Sequence, residues 1–166
     1  GGNTAIDIAV QSKKLGAEDV TLAYRRGPEQ MSATWKEQEF AQTSGVRVKH
    51  WVAPKSLHSE NGHVTGIEFE CTELNPEGKL RGTGELRHME ADVVFKAIGQ
   101  LLEDSVFSGS EMPAIEGGKI TVNLEFETSL PGVWAGGDCV DSGEDLTVQS
   151  VEDGKQAALS IHRRLK

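Results

Sequence analysis

Two glycines and an acid, Gly136, Gly137 and Asp138, follow a short apolar run at residues 133–135. Because glycine has no Cβ, the backbone at such a turn can come close to a bulky ligand. An aspartate at the carboxyl end of a strand, with a helix after it, can accept hydrogen bonds from the hydroxyl groups of a ribose or a ribityl chain. An ordinary strand end with an exposed acid has the same residues, and these three alone favour neither interpretation.

A second glycine pair opens the chain, in the order Gly1, Gly2, Asn3, Thr4 and Ala5, directly before a helical pattern. Small residues at such a turn let backbone amides and the helix N-terminus reach a pyrophosphate. The spacing matches the latter part of the dinucleotide fingerprint GxGxxA, without its preceding strand and first glycine. We therefore expect the chain to be a fragment of a longer protein.

Two arginines, Arg25 and Arg26, follow a predicted strand at residues 20–24, about twenty residues beyond the glycines. An NAD site usually has an acid at this point to hold the 2′-hydroxyl of the ribose. Two guanidinium groups instead suit a 2′-phosphate, so the pair favours NADP over NAD. The alternative is a solvated basic strand end, which is common.

Further local signals place these residues on an α/β framework. Gly16 should end the first helix, and Thr34 with Glu37 should form a capping box at the start of a helix over residues 34–43. Strands are expected at 46–52 and at 91–98, the latter closed by Gly99. Between them, alternation at 67–72 and a turn at 75–78 predict an antiparallel insertion in which Cys71 is buried.

The C-terminal part has a predicted strand at 119–122, the strand at 133–135 and a final helix. Apolar or small residues recur in that helix at spacings of three and four, which predicts a buried stripe. These residues are Val151, Gly154, Ala158, Ile161 and Leu165.

Composition narrows the possible functions. A net charge of −9 makes nucleic acid and anionic membranes poor partners. No apolar run approaches a membrane span and no signal peptide opens the chain, so a cytoplasmic protein is expected. Cys71 and Cys139 form no CxxC and the five histidines show no ligand spacing, so we expect no metal site.

Five segments together resemble a known family, namely residues 1–5, 24–26, 97–99, 135–138 and 151–157. In this order they resemble the flavoprotein part of dihydropyrimidine dehydrogenase and its close relative, the glutamate synthase small subunit. Both belong to the pyridine nucleotide-disulphide oxidoreductase-like superfamily. The run Val-Glu-Asp-Gly-Lys-Gln-Ala at 151–157 favours the pyrimidine enzyme.

The resemblance implies an enzyme fragment in which NADPH, or alternatively NADH, passes hydride to FAD, and electrons leave through iron–sulfur clusters in other parts of the protein. It implies a Rossmann-like three-layer α/β domain with an antiparallel insertion over residues 1–100, which binds NAD(P)H. Residues 101–166 would be a crossover and the C-terminal part of an FAD domain. A partner subunit or domain would carry the substrate site, and no side chain in this chain would act as an acid or base.

Matching positions assign cofactor-binding residues. Those for the nicotinamide dinucleotide are Gly1, Gly2, Asn3, Thr4, Arg25, Arg26, Ala97, Ile98 and Gly99. Those for FAD are Gly137, Asp138, Asp145, Leu146 and Thr147. Two other classes stay open: a thioredoxin-reductase-like disulfide reductase, which the missing CxxC disfavours, and a nucleotide-binding domain without catalysis.

Overall fold

The computed structural model describes residues 1–103, 105, 112–143 and 146–166. The chain divides into two compact units, Gly1–Gly99 and Gln100–Lys166. In chain order the helices and strands are α1 (Asn3–Lys14), β1 (Thr21–Tyr24), α2 (Trp35–Thr43), β2 (Arg47–His50), β3 (Val52–Glu60), β4 (His63–Leu74), β5 (Leu80–Glu90), β6 (Ile115–Glu116), β7 (Lys119–Ile120) and α3 (Thr147–Arg164).

The first unit contains a parallel strand pair with two helices packed on it. β1 and β2 run in register from Thr21 opposite Arg47 to Tyr24 opposite His50. The predicted end of α1 is confirmed, because Gly16 takes a φ of 107°, which L-residues rarely adopt. The buried core beneath the helices consists of Ile6, Ala9, Val10, Leu22, Met31, Ala33, Ala41 and Val46.

The capping box of α2 is also confirmed. The Thr34 hydroxyl accepts from the Glu37 amide at 3.4 Å, and the Thr34 amide donates to Glu37 Oε2 at 2.7 Å. Two amides that would lack partners at the helix start are thereby satisfied. The box fixes where the chain enters α2, directly after the loop that packs against the first glycine pair.

Removing this cap is expected to weaken folding measurably. Thr34→Ala should lower the free energy of unfolding by about 1 kcal/mol, because the Glu37 amide loses its acceptor. Thr43→Ala is the matched control, since its exposed hydroxyl bonds only to carbonyls of its own helix, Glu39 and Phe40. Urea unfolding compares the variants, and equal midpoints for the two would contradict the capping role.

An antiparallel sheet in the order β3-β4-β5 forms the rest of the first unit. Val52, Ile67 and Phe69 are buried on one face. The turn predicted at 75–78 is confirmed by the Asn75 amide donating to the Lys79 carbonyl at 2.9 Å. Cys71 is only half-buried, so the prediction of a buried thiol was wrong. It lies in β4 opposite Val52, toward the end of that buried patch.

Two strand predictions in the first unit need correction. The single strand expected over 46–52 is two strands, because Trp51 has a φ of 61° and separates β2 from β3. The strand expected over 91–98 is not formed in the described chain, where no strand runs beside it. A strand needs a hydrogen-bonded neighbour, and Val93, Phe95 and Ile98 are 65, 62 and 75% exposed instead.

The second unit is built on short β contacts. β6 and β7 form a hairpin, and Ile120 makes a parallel bridge to Val140, which is fully buried. The predicted strand at 133–135 was wrong, because only Trp134 pairs there, in one bridge to Glu127. This segment nevertheless runs directly into the second glycine pair.

α3 packs through polar residues, and the predicted apolar stripe was wrong. Val151 and Leu165 are 69 and 81% exposed, whereas Asp153 and Ser160 are buried. Ser160 Oγ accepts from Trp134 Nε1 at 3.0 Å, so the helix rests on the segment before the glycine pair. The apolar spacing of three and four residues predicted the helix correctly, but it did not predict which face of the helix packs.

Candidate functional site

The first glycine pair precedes a helix start that is open to an anion. Gly2 is the N-cap of α1, with no side-chain cap and no acid in the first turn. The first amides of a helix have no partner inside it, and the helix dipole adds positive potential there. Asn3 and Thr4, which begin this helix, are both exposed. This geometry suits a phosphate or pyrophosphate.

Gly1 is packed too closely for a side chain, and a side chain at Gly2 would crowd its neighbour. A Cβ on Gly1 would lie 2.4 Å from the Tyr24 ring, and one on Gly2 would lie 3.1 Å from Ser32 Oγ. The Ala33 amide donates to the Gly1 carbonyl at 3.1 Å. The turn is therefore held between the end of β1 and the loop that leads to α2.

The two arginines follow β1 directly, beside this turn. Arg25 and Arg26 come directly after Tyr24, whose ring lies against Gly1. Arg25 is exposed and Arg26 half-buried. Among the described residues, the buried Nε of Arg26 has no hydrogen-bond partner. The glycine pair thus packs on the last residue of β1, and the arginine pair follows that residue in the chain.

Sequence reasoning missed His50, which ends β2 opposite Tyr24. Its buried Nε2 has no hydrogen-bond partner among the described residues, as is true of Arg26 Nε. Its position at the carboxyl end of a parallel strand was the available signal, because ligands bind at such ends in α/β sheets.

The third predicted segment of this unit is formed by residues 97–99. Ile98 is 75% exposed and Gly99 takes a φ of 94°. Ala97 is half-buried, and the segment belongs to no described strand. A role for these residues beside the nicotinamide stays a prediction.

The second glycine pair forms a tight turn against α3. Gly137–Cys139 is one turn of 3₁₀ helix, and Gly137 has a φ of 81°. The Gly137 amide donates to Asp153 Oδ2 at 2.9 Å. The Ser150 hydroxyl donates to Asp138 Oδ1 at 3.0 Å. Two side chains of α3 therefore hold the backbone and the acid of this turn.

Because Gly136 and Gly137 have no side chains, α3 can pack closely against this turn. A Cβ on Gly136 would lie 3.0 Å from the Asp153 Cβ, and one on Gly137 would lie 3.2 Å from Ser150 Oγ. A side chain at either position would therefore crowd α3, and the φ of Gly137 is one that residues with a Cβ rarely adopt. Sequence reasoning missed Ser150 and Asp153. Asp153 was missed because an acid inside a helix usually faces water.

The start of α3 is a further open helix end. Leu146 is its N-cap without a side-chain cap, and the first turn, which begins at the exposed Thr147, contains no acid. Ser150 connects this first part of α3 to Asp138. Asp145, also predicted to bind cofactor, lies outside the described residues.

Within the described ranges, no three His, Cys, Asp or Glu side chains come together in a way that could hold a metal ion. No helix in the part of the chain that the structure describes has the length and apolar character needed to cross a membrane. The described chemistry therefore centres on the two glycine turns and their helices.

A family model for the pyridine nucleotide-disulphide oxidoreductases matches residues 1–154. The chain belongs to this family. It is 34% identical to the NADP(+)-dependent formate dehydrogenase subunit beta of Moorella thermoacetica, over 100% of this chain and 24% of that protein. It is 36% identical to the glutamate synthase [NADPH] small chain of Escherichia coli K12, over 97% of this chain and 36% of that protein.

The fold has a solved counterpart. Thioredoxin reductase from T. acidophilum superposes with a TM-score of 0.82 and 23% identity, over 99% of this chain and 50% of that one. The predicted fold class, a Rossmann-like α/β fold with an antiparallel sheet, is confirmed. Family membership makes the chain part of a redox enzyme family and implies FAD and NAD(P) as cofactors.

The chain spans only about a quarter to a third of the length of the two curated relatives. The superfamily predicted from the sequence motifs is confirmed. The narrower likeness to dihydropyrimidine dehydrogenase belongs with the proposals below.

Proposed function

We propose that this chain is part of a subunit that transfers hydride from NADPH to FAD, and that its two units each bind one dinucleotide. The observation that carries the proposal is the packing at the end of β1. There the glycine pair at an uncapped helix start packs against Tyr24, the residue directly before the two arginines. Amides and guanidinium groups so placed suit the pyrophosphate and the 2′-phosphate of NADPH.

In this proposal the first unit holds the nicotinamide dinucleotide. Residues 1–4 bind its pyrophosphate, Arg25 and Arg26 bind the 2′-phosphate, and residues 97–99 lie beside the nicotinamide. The names of both relatives include NADP(+) or NADPH, which supports this coenzyme over NADH.

The second unit binds part of FAD. Asp138 accepts hydrogen bonds from the ribityl arm, and the turn at Gly137 lets the backbone come close. Leu146 and Thr147 contribute the start of α3, whose positive dipole end favours negative charge. Asp145 is proposed as a further FAD-binding residue on the basis of the sequence resemblance alone. Bound FAD supplies the hydride-accepting chemistry, so the chain itself needs to bind and orient and does not need an acid or base.

For the whole protein, we propose electron delivery through iron–sulfur clusters to a separate substrate site. The motif run at 151–157 favours the dihydropyrimidine dehydrogenase type. The glutamate synthase type is the alternative, supported by the relative at 36% identity. A partner subunit fits both, since the relatives are themselves named as a subunit and a small chain.

Two other functions are less well supported. Disulfide reduction, as in thioredoxin reductase, would use a pair of cysteines, but Cys71 and Cys139 are both free and form no CxxC. The likeness to thioredoxin reductase is at 23% identity and concerns the fold alone. A non-catalytic nucleotide-binding role would leave flavin oxidised, so anaerobic addition of NADPH to the full-length protein distinguishes it: we expect the visible flavin band to bleach.

A substitution at Asp138 tests the FAD assignment directly. In the full-length protein, Asp138→Ala should lower the flavin-to-protein ratio after dialysis, because a charge-assisted hydrogen bond worth about 1.5–3 kcal/mol is lost. Asp141→Ala is the control, since this nearby exposed acid bonds to the Val122 amide at 3.4 Å. An unchanged ratio in Asp138→Ala, with a cooperative unfolding transition, would count against the assignment.

A further inference from the structure

We propose that Asp153 is a positioning residue, which shapes the Gly136–Asp138 turn so that it can receive the flavin arm, with Ser150 as its helper. The inference rests on the proposed binding of FAD by the second unit. It concerns residues of α3 that act through the turn and need not touch the cofactor.

Asp153 is held in one place. Its side chain is among the most deeply buried of the chain, with 1% of its surface exposed. Oδ2 accepts from the Gly137 amide at 2.9 Å and Oδ1 accepts from Gln149 Nε2 at 2.6 Å. A buried carboxylate is costly unless its oxygens are hydrogen-bonded, so these two bonds fix the orientation of the carboxylate.

The first of these bonds determines what Gly137 can do. Its amide is directed to Asp153 and is not free to donate to a cofactor. The contribution of Gly137 is instead its φ of 81°, which residues with a Cβ rarely adopt. The bond to Asp153 holds the residue in that conformation and thereby sets the path of the backbone into Asp138.

Ser150 acts on the next residue of the turn. It precedes Asp153 by three positions, so both side chains lie on one face of α3. Its hydroxyl donates to Asp138 Oδ1 at 3.0 Å. An ionised carboxylate has about four acceptor positions, so Asp138 keeps capacity for a hydroxyl of the ribityl chain while Ser150 orients it.

The same helix provides a matched control two turns further along. Ser160 is buried like Asp153, and its Oγ accepts from Trp134 Nε1 at 3.0 Å. This bond anchors the segment before the turn and does not touch the turn. Substitution of Ser160 therefore removes a buried polar contact of α3 without altering the turn, and substitution of Asp153 removes one that shapes the turn.

The test measures the Kd for FAD of the full-length apoprotein, together with its Tm without FAD. Asp153→Leu leaves the half-buried Gly137 amide without its acceptor, and we expect the Kd to rise ~10- to 100-fold. Asp153→Asn keeps an acceptor for that amide and should restore the Kd to within ~3-fold of the original protein. Ser150→Ala should raise the Kd ~3- to 10-fold. Ser160→Ala should lower the Tm and leave the Kd within ~3-fold.

Quenching of flavin fluorescence on binding gives a second measurement independent of turnover. The proposal is overturned if Asp153→Leu binds FAD like the original protein, or if Ser160→Ala weakens binding as much for an equal loss of Tm. Should Asp153→Leu fail to fold, Ser150→Ala decides, since an unaltered Kd there also overturns it. Original apoprotein that does not take up FAD would refute the proposed function itself, and this inference with it.

Discussion

Replacing Arg25 and Arg26 together with Ala in the full-length protein is expected to raise the KM for NADPH about 30- to 1,000-fold and to change that for NADH little. The two guanidinium groups would lose charge-assisted bonds to the 2′-phosphate, worth ~2–4 kcal/mol in total. Because each ~1.4 kcal/mol corresponds to a tenfold change, this loss gives the stated range. NADH has no phosphate at that position and loses nothing comparable.

The structure favours a large effect because the backbone that carries the arginines is already held beside the glycine pair. They follow β1 directly, and Tyr24, the last residue of that strand, packs its ring on Gly1. Binding would therefore not have to assemble the site from distant parts of the unit. Pre-organised groups lose less entropy when they bind.

The control for this experiment removes two positive charges elsewhere in the same unit. Arg47 pairs with Asp19 at 2.8 Å, and Lys55 pairs with Glu70 at 3.5 Å. Arg47→Ala with Lys55→Ala should change neither KM beyond a small general field effect. Steady-state kinetics with both coenzymes measures the outcome, and equal changes for NADPH and NADH in the Arg25 and Arg26 variant would refute the phosphate role.

The parts of the fold that the sequence predicted correctly depend on interactions over a few residues. Gly16 ends α1 because only a residue without a Cβ takes its φ of 107° readily. Thr34 and Glu37 satisfy each other's amides three residues apart. Interactions between residues so close in sequence can be predicted without knowing how the rest of the chain folds.

The predictions that failed depended on distant partners. Residues 91–98 have the composition of a strand, yet a strand forms only beside another, and the described chain has none there. In α3, apolar periodicity pointed to Val151 and Leu165, but the helix buries Asp153 and Ser160 because the glycine turn and Trp134 bond to them. Which face packs was decided by hydrogen bonds to segments that sequence spacing does not reveal.

The candidate site shows the same contrast. The glycine pairs and the arginine pair could be proposed as dinucleotide-binding residues from the sequence, since such sites use these residue types, and that role stays a prediction. The residues that hold the turns could not be predicted, because an acid in a helix, such as Asp153, is expected to face solvent. Its burial and its hydrogen bonds to Gly137 and Gln149 distinguish it from the exposed Glu152 beside it.

The 166-residue chain by itself is expected to purify without FAD and without NADPH oxidation activity. A dinucleotide in such folds lies in a crevice across the carboxyl ends of several strands, and a glycine-rich turn before a helix holds its pyrophosphate. No GxGxxG run occurs anywhere in this sequence. The second unit offers Asp138, the amides of its turn and the start of α3, which correspond to the ribityl end alone.

The energies favour the empty form. A charge-assisted bond at Asp138 contributes about 1.5–3 kcal/mol and one or two bonds to nearby amides ~1 kcal/mol each, against ~4–15 kcal/mol for immobilising a large flexible ligand, before its other losses. Exposed apolar side chains on α3, such as Val148, Val151 and Leu165, should also make the isolated chain associate as its concentration rises. Absorbance after incubation with FAD and gel filtration measures the outcome, with the full-length protein as the positive control. A yellow 166-residue chain with stoichiometric flavin would contradict this prediction. It would mean that the contacts of the turn at Asp138 outweigh the free energy lost in immobilising FAD.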